Sequence, residues 1–206
     1  MNYKITRKLF RGKYQYKIVI ICAGAQWFRN NDLNEALDKL KAIDLAKFSY
    51  KSNTIKTQDD LDYAFKLQTA LSGLSDVEVR VESPWLSIYS NNRKDIDKLS
   101  KIDTEKVKYI SVPASNTGLD KDTVVMPKMN YDYRITLGKT NQEHSTFIDW
   151  ANTNKKCKLT KSCVSALLRP RSWGGQHFYI TGDNNLLLAK MHLGSSIAKV
   201  ERIVKA

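Results

Sequence analysis

Acidic residues are missing from two long stretches of this 206-residue chain. No Asp or Glu occurs between Met1 and Asn31, or between Trp150 and Gly182. Lysine and arginine continue through both stretches, and the formal net charge of the chain is +13. Two basic windows without acids indicate a polyanionic partner, most commonly nucleic acid. The alternative is a solvated basic face that keeps the protein soluble.

Long apolar runs and paired cysteines are also missing. The longest apolar run, residues 18–25, is far shorter than the roughly 20 residues that span a bilayer. The basic N-terminus has no adjacent apolar region and no small-residue cleavage site, so a signal peptide is not expected. Three cysteines leave one unpaired in any disulfide scheme. We therefore expect no membrane association and a reducing compartment, the cytoplasm.

Patterns typical of catalysis and metal binding are scarce. The three histidines are scattered, and the Cys157 and Cys163 pair has no second pair to complete a zinc site. No glycine-rich phosphate loop is present. We therefore predict a protein that is not an enzyme, with no cofactor and no metal. The 25 lysines against 9 arginines, with 14 asparagines, are typical of AT-rich coding sequence and hint at a phage or viral source.

One series of elements occurs twice. The strand-like residues 14–19 (YQYKIV) are echoed by residues 131–136 (YDYRIT), and an amphipathic segment follows each. An aromatic strand, an Asn-Asn pair and a short β-branched run then come in the same order in both halves. This order predicts an α+β fold of two tandem ferredoxin-like (βαββαβ) units, the first with an insertion.

The expected organisation is a basic N-terminal arm (1–12), unit 1 (13–112), a linker (113–129) and unit 2 (130–206). The insertion covers residues 47–74, with an extra strand over 48–56 and a helix that begins at Thr57 or Gln58. Asp32, Asn92 and Asp183 are candidate helix N-caps. In unit 2, residues 155–162 have an irregular pattern. Residues 163–168 suit a strand or a helical turn, and the repeat favours the strand.

Alternation along the third strand of each unit separates two faces. Leu86 and Ile88 suit the core, which places Trp85 and Tyr89 on the other face, and the same argument places His177 and Tyr179 there in unit 2. Exposed aromatics on a four-stranded sheet can stack single-stranded bases. The alternative is that these side chains seal the two units against each other.

Residues 175–180 (GQHFYI) resemble the RNA-recognition-motif signature of that strand. The resemblance implies base stacking by His177 and Tyr179. The basic-Gly start of the signature and its first-strand counterpart are absent here. The loop of residues 169–175 is the sharpest local feature, because Arg169 and Arg171 flank a proline and Trp173 precedes two glycines. Such a loop can bind phosphate and stack a base, or it can anchor a protein partner.

These features predict a non-catalytic nucleic-acid-binding protein, with single-stranded RNA or DNA favoured. The expected binding residues are those of the basic windows and the aromatic strand tips: Lys8, Arg11, Lys13, Lys17, Trp85, Tyr89, Arg134, Lys155, Lys156, Lys158, Lys161, Arg169, Arg171, Trp173, His177 and Tyr179. The first alternative is a small phage or viral interaction module that docks on an acidic surface of a host or viral assembly.

The second alternative is enzymatic. The tandem layout with basic clefts resembles the RAMP endonucleases that process CRISPR repeat RNA. That resemblance implies metal-independent cleavage with His144 or His177 as general acid or base. The glycine-rich loop that the family carries near its C-terminus is reduced here to Leu193-Gly194-Ser195-Ser196.

Overall fold

Two compact units, Met1–Gly118 and Leu119–Ala206, make up the chain. The structure, a computed structural model, describes residues 1–43, 55–115 and 118–205. Each unit contains one five-stranded sheet with parallel and antiparallel neighbours, together with several helices. The predicted α+β class is confirmed. No helix in the described part of the chain is both long enough and apolar enough to cross a bilayer.

Unit 1 is built on a sheet in the order β1-β5-β2-β4-β3. The strands are β1 (Tyr3–Thr6), β2 (Tyr16–Ile21), β3 (Val77–Glu82), β4 (Trp85–Ser90) and β5 (Val107–Pro113). β1 runs parallel to β5, and the other neighbours are antiparallel. The helices are α1 (Leu33–Lys41), α2 (Gln58–Ser72) and α3 (Arg93–Ser100), with a 3-10 segment at Ala25–Asn31.

The core of unit 1 follows from the alternation of its strands. Ile18 and Ile20 of β2 and Leu86 and Ile88 of β4 are all fully buried. Side chains two residues apart lie on one face of a strand, so these four pack together with the apolar sides of the three helices. The inward phase predicted for β4 is confirmed. The side of each sheet that faces away from these core residues is called its outer face below.

Short polar side chains fix the helix starts. The Asp32 carboxylate accepts from the N–H groups of Asn34 and Glu35, the Thr57 hydroxyl caps α2, and the Asn92 side chain caps α3. Each satisfies an N–H group that a first turn leaves unpaired. The caps at Asp32 and Asn92 and the start of α2 at Gln58 agree with the predictions. The strand predicted over 48–56 lies largely outside the described residues.

Unit 2 has the sheet order β6-β10-β7-β9-β8. The strands are β6 (Thr123–Val125), β7 (Tyr133–Leu137), β8 (Cys157–Leu159), β9 (His177–Ile180) and β10 (Ile197–Val204). The helices are α4 (Ser145–Thr153), α5 (Lys161–Leu167) and α6 (Asp183–Leu193), followed by a 3-10 turn. β6 is parallel to β10 and the other neighbours are antiparallel.

Three predictions for unit 2 were wrong. The strand predicted over 163–168 is the helix α5, and the unit's edge strand is β8, within the segment expected to be irregular. The Thr160 hydroxyl caps α5 by accepting from the Cys163 N–H, which starts a helix in a run too short for periodicity to identify. Asp183 is not an N-cap but the first residue of α6, and its carboxylate accepts from the Tyr133 hydroxyl.

Each unit also has a strand that the sequence pattern did not predict. β1 lies within residues 1–12, expected to be an arm, and β6 lies within residues 113–129, expected to be a linker. Each pairs in parallel with the last strand of its own unit. The chain that follows each added strand then passes to the first long antiparallel strand, β2 or β7. These connecting segments determine which aromatic side chains of the outer faces are covered.

Candidate nucleic-acid interface

The two strand-tip tyrosines are not exposed, which corrects the prediction for the outer faces. Tyr89 and Tyr179 are only 5% and 7% accessible. The rings of Phe10 and Tyr14 lie 5.7 and 6.0 Å from Tyr89, measured between centroids. Tyr131 lies 5.9 Å from Tyr179. Both tyrosines are therefore covered by the connecting segment of their own unit, and neither presents a free ring face for stacking.

The other two predicted outer-face aromatics are half-buried. Trp85 carries the Lys108 ammonium over its ring, with Nζ 3.6 Å from the centroid. His177 packs edge-on against Tyr179 at 5.4 Å. The Trp85 ring is therefore in contact with an exposed lysine, whereas the His177 ring belongs to a packed aromatic pair.

Three of the predicted cations already have acidic partners. Arg11 pairs with Glu78 and Lys13 with Asp76. The hydrogen bond from Lys13 lowers the pKa of Asp76, and the same bond raises the pKa of Lys13. In unit 2, Arg134 Nε lies 3.9 Å from the Glu201 carboxylate, which also accepts from Lys199 at 2.9 Å. These cations have less charge to offer a polyanion.

The cations of the second acid-free window are different. All of them are exposed, and no carboxylate of the described residues lies within salt-bridge distance, 4.0 Å, of any: Lys155, Lys156, Lys158, Lys161, Arg169 and Arg171. Lys8 in unit 1 is also exposed and has no such partner. Because nothing compensates these charges, phosphate oxygens would be their strongest available partners.

Trp173 is the most exposed large hydrophobic residue of the described chain, with 91% of its surface accessible. It stands in the loop that joins α5 to β9, between Arg171 and the two glycines. The Lys139 ammonium lies 5.4 Å from its ring centroid. A pocket of about 520 Å³ is lined by five residues of this loop and of the segment after β7: Lys139, Asn141, Arg171, Ser172 and Trp173. We call this group the Trp173 pocket.

The loop that presents Trp173 is held firmly by backbone hydrogen bonds. Thr140 and Ser172 exchange two of them, at 2.9 and 3.0 Å, and the Gly175 N–H donates to the Leu137 carbonyl at 2.8 Å. Gly174 has φ +79° and lies directly against Gly138, so that a Cβ there would collide with the Gly138 carbonyl group. Only glycine fits this position. The loop thus fixes the backbone that carries the indole, while 91% of the Trp173 surface stays accessible.

Sequence reasoning found Arg171 and Trp173 but missed Lys139 and Asn141. Both lie outside the acid-free windows, and Glu143 follows closely. They reach the site because the Thr140 and Ser172 backbones form an isolated antiparallel bridge outside the sheet. Nothing in the local sequence around residue 140 indicates that pairing.

A second concave surface is formed by residues that come just before Arg171 and Trp173 in the chain. It has a volume of about 580 Å³ and is lined by Lys161, Val164, Ser165, Leu168 and Arg169. Leu168 is 52% accessible. An apolar floor therefore lies between two cations that have no acidic partner. Arg169, Pro170 and Arg171 connect this groove to the Trp173 pocket.

The candidate acid–base residues are placed differently. His144 is buried, and its Nε2 lies 3.0 Å from the Ser196 hydroxyl oxygen, which is also buried. Burial lowers the pKa of His144. Burial also raises the pKa of Cys157 and of Cys163 to about 12, so both remain thiols at neutral pH. In residues 1–43, 55–115 and 118–205, no three His, Cys, Asp or Glu side chains group as metal ligands would.

The arrangement in unit 2 is therefore a fixed, exposed indole flanked by cations, next to an apolar groove with a cation at each end. It can bind an anion and stack a planar ring at neighbouring points. Comparisons with protein-family models, curated proteins and solved structures found no match to this chain.

Proposed function

We propose that this protein is a non-catalytic binder of single-stranded nucleic acid, and that the Trp173 pocket is its main contact. Each unit is taken as a ferredoxin-like unit with one added strand. The antiparallel orders β5-β2-β4-β3 and β10-β7-β9-β8, joined through helices, support that assignment. The free cysteines suit a reducing compartment, which we propose is the cytoplasm.

One observation carries the proposal: Trp173 is 91% accessible and sits among cations rather than acids. An indole left in water at a rigid position suits a surface that binds a partner. Arg171 can bind a phosphate through two parallel hydrogen bonds, and Lys139 can neutralise a second one. Asn141 and Ser172 add hydrogen-bonding groups at the pocket wall. Stacking on an aromatic side chain contributes about 1–3 kcal/mol per base.

The geometry favours a single strand over a duplex. A protruding indole can stack only on a base whose face is free, and bases within a duplex are already stacked on one another. The adjoining groove of Val164 and Leu168 offers an apolar surface to a neighbouring base. Arg169, between the two sites, is placed to bind the phosphate that links them.

The test is a fluorescence anisotropy titration with a labelled single-stranded oligothymidylate and its RNA counterpart. We expect Trp173→Ala to weaken binding by about 5- to 150-fold, the equivalent of one lost stacking contact. Arg171→Gln should weaken it and reduce the slope of log affinity against log salt by about 0.7. Arg80→Gln is the control, since Arg80 is already paired with Glu82 at 2.9 Å. Equal affinities for wild type and Trp173→Ala would contradict the proposal.

A protein partner is the second candidate, because Leu168 is exposed between Lys161 and Arg169. Apolar anchors beside arginine are common at the centres of protein interfaces. The partner would need an acidic rim around an apolar side chain. If purified protein binds no oligonucleotide, yet retains an acidic partner after nuclease treatment and loses it on Leu168→Asp substitution, this second function replaces the first.

A further inference from the structure

We propose that unit 1 carries a second, separate site for single-stranded nucleic acid on the outer face of its sheet. The proposal takes its ligand class from the proposed function but depends on different residues. The site consists of three lysines and the rings on which they rest: Lys4, Lys17 and Lys108, with Trp85 and Tyr109. We call it the lysine–ring face.

The strand register places these side chains on one face. Lys4 of β1 and Lys17 of β2 both pair with Ser111 of β5, from opposite sides. The pairing of β2 with β5 shifts between Val19 and Ile20, because Val19 faces Tyr109 and Ile20 faces Val107. Lys108 is the extra residue of this bulge. A bulge can redirect a side chain, and here it allows Lys108 and Tyr109 to reach the same face.

The lysines of this face have rings where surface lysines commonly have carboxylates. The Nζ atom of Lys108 lies 3.6 Å from the Trp85 centroid, and that of Lys4 lies 4.0 Å from the Tyr109 centroid. Lys17 lies within 5.6–6.0 Å of three rings, Phe10, Tyr89 and Tyr109. No carboxylate of the described residues is within 4.0 Å of any of the three ammonium groups. Their charge is therefore not cancelled within the unit.

The exposed lysines of this face can exchange their contacts with aromatic rings for contacts with the phosphate groups of a ligand. An exposed cation–π contact is weaker than a charge-assisted hydrogen bond to phosphate. Lys4 and Lys108 are exposed and can move from the rings to phosphate oxygens. Their movement frees the faces of Tyr109 and Trp85 for bases. Lys17 is half-buried among three rings and supplies a fixed charge at the centre of the face.

The distribution of charge over the sheet favours one path for the bound nucleic-acid strand. Glu78 and Glu82, both on β3, are neutralised by Arg11 and Arg80. That edge of the sheet is thus close to neutral, while the β1, β5 and β2 side has the uncompensated lysines. A polyanion would lie along β5 and avoid the β3 edge.

The experiment measures how many short oligonucleotides bind one full-length chain. The probe is an oligothymidylate of about eight nucleotides, within the site sizes typical of single-strand binders. Isothermal titration calorimetry gives the stoichiometry, and the variants are the double substitution K4Q/K108Q, Trp173→Ala and, as a control at a lysine with an acidic partner, Lys39→Gln. Lys39 is paired with Glu35 on α1. Lys4, Lys39 and Lys108 are all exposed, so their substitution should leave the fold intact. Thermal melting would verify this.

We expect two oligonucleotides per chain for wild type and for Lys39→Gln, and only one bound with wild-type affinity for K4Q/K108Q and for Trp173→Ala. One oligonucleotide per wild-type chain, with no change in K4Q/K108Q, would overturn the second site and leave the proposed function standing. Loss of one site in K4Q/K108Q without any effect of Trp173→Ala would support the second site and contradict the Trp173 pocket. Absence of all binding by wild type would overturn both, and retention of an acidic protein by this face would then identify a different class of ligand.

Discussion

Gly174 is the residue that most clearly sets the shape of the Trp173 pocket. A Cβ at this position would lie 2.8 Å from the Leu137 carbonyl oxygen and closer still to the Gly138 carbonyl group, and φ is +79°. We expect Gly174→Ala to displace the loop, to lower the free energy of unfolding by about 1–3 kcal/mol and to weaken oligonucleotide binding. Urea unfolding and anisotropy titration measure the two effects.

Gly175 provides the matched control for that change. It also has positive φ, +88°, but nothing lies within 4 Å of a Cβ built there. Gly175→Ala should therefore show only the cost of the left-handed backbone, about 1–2 kcal/mol at most. The difference between the two variants measures the close approach to Gly138. Equal losses of stability and of binding in both variants would show that this contact is unimportant.

His144 makes the stability of the protein depend on pH. Burial lowers its pKa in the folded state, while in the unfolded chain the pKa is near the ordinary value of about 6.5. The unfolded chain therefore binds the proton first as pH falls. Stability from this group is fully present above about pH 6.5 and declines below it, until the lowered pKa of the folded state is reached.

The measurement is the free energy of urea unfolding at several values between about pH 7.5 and pH 5. His144→Gln should reduce the pH dependence over this window, whatever it does to the overall stability. His192→Gln is the control, because His192 is exposed on α6 and packs beside Trp150 at 5.6 Å. An unchanged slope in His144→Gln would show that other groups cause the acid sensitivity.

At the scale of elements, local chemistry predicted more than periodicity did. The caps Asp32 and Asn92 could be predicted because one side chain and the next three backbone N–H groups suffice to start a helix. β8 and α5 could not be predicted from periodicity, because each is too short to show one. The connecting segments that bury Tyr89 and Tyr179 could not be inferred, since their cover depends on pairing between distant strands.

Thr160 links the helix α5 to the sheet. Its hydroxyl accepts from the Cys163 N–H at 3.2 Å and donates to the His177 carbonyl at 2.8 Å. Thr160→Ala should lower the free energy of unfolding by about 1–2 kcal/mol, since both the cap and the bond to β9 are lost. Thr160→Ser retains the hydroxyl and should cost much less. A similar loss in both variants, measured by urea unfolding, would assign the effect to the methyl group instead.

At the scale of the whole molecule, the sequence pattern predicted two α+β units but not how their surfaces differ. Both units have the same strand order, including the parallel strands β1 and β6. Their surfaces differ, because Lys4 and Lys108 of unit 1 lie over aromatic rings, whereas the cations of the second acid-free window in unit 2 are exposed without acidic partners among the described residues. Charge counted along the sequence could not distinguish paired from unpaired cations. Unpaired cations at defined positions can form a specific binding surface, whereas a net charge of +13 by itself attracts any polyanion.

Two triple variants with the same formal charge test this distinction. K158Q/K161Q/R169Q removes three exposed cations without acidic partners, whereas K13Q/K39Q/R80Q removes three that are paired with Asp76, Glu35 and Glu82. Each variant lowers the formal net charge of +13 by three. If binding depends on defined phosphate contacts, the first variant should reduce the slope of log affinity against log salt by about 2. The second variant should leave that slope nearly unchanged. Anisotropy titrations over a range of salt concentrations would measure both slopes. Equal losses in the two variants would mean that net charge alone attracts the polyanion and that unit 2 has no specific surface for it.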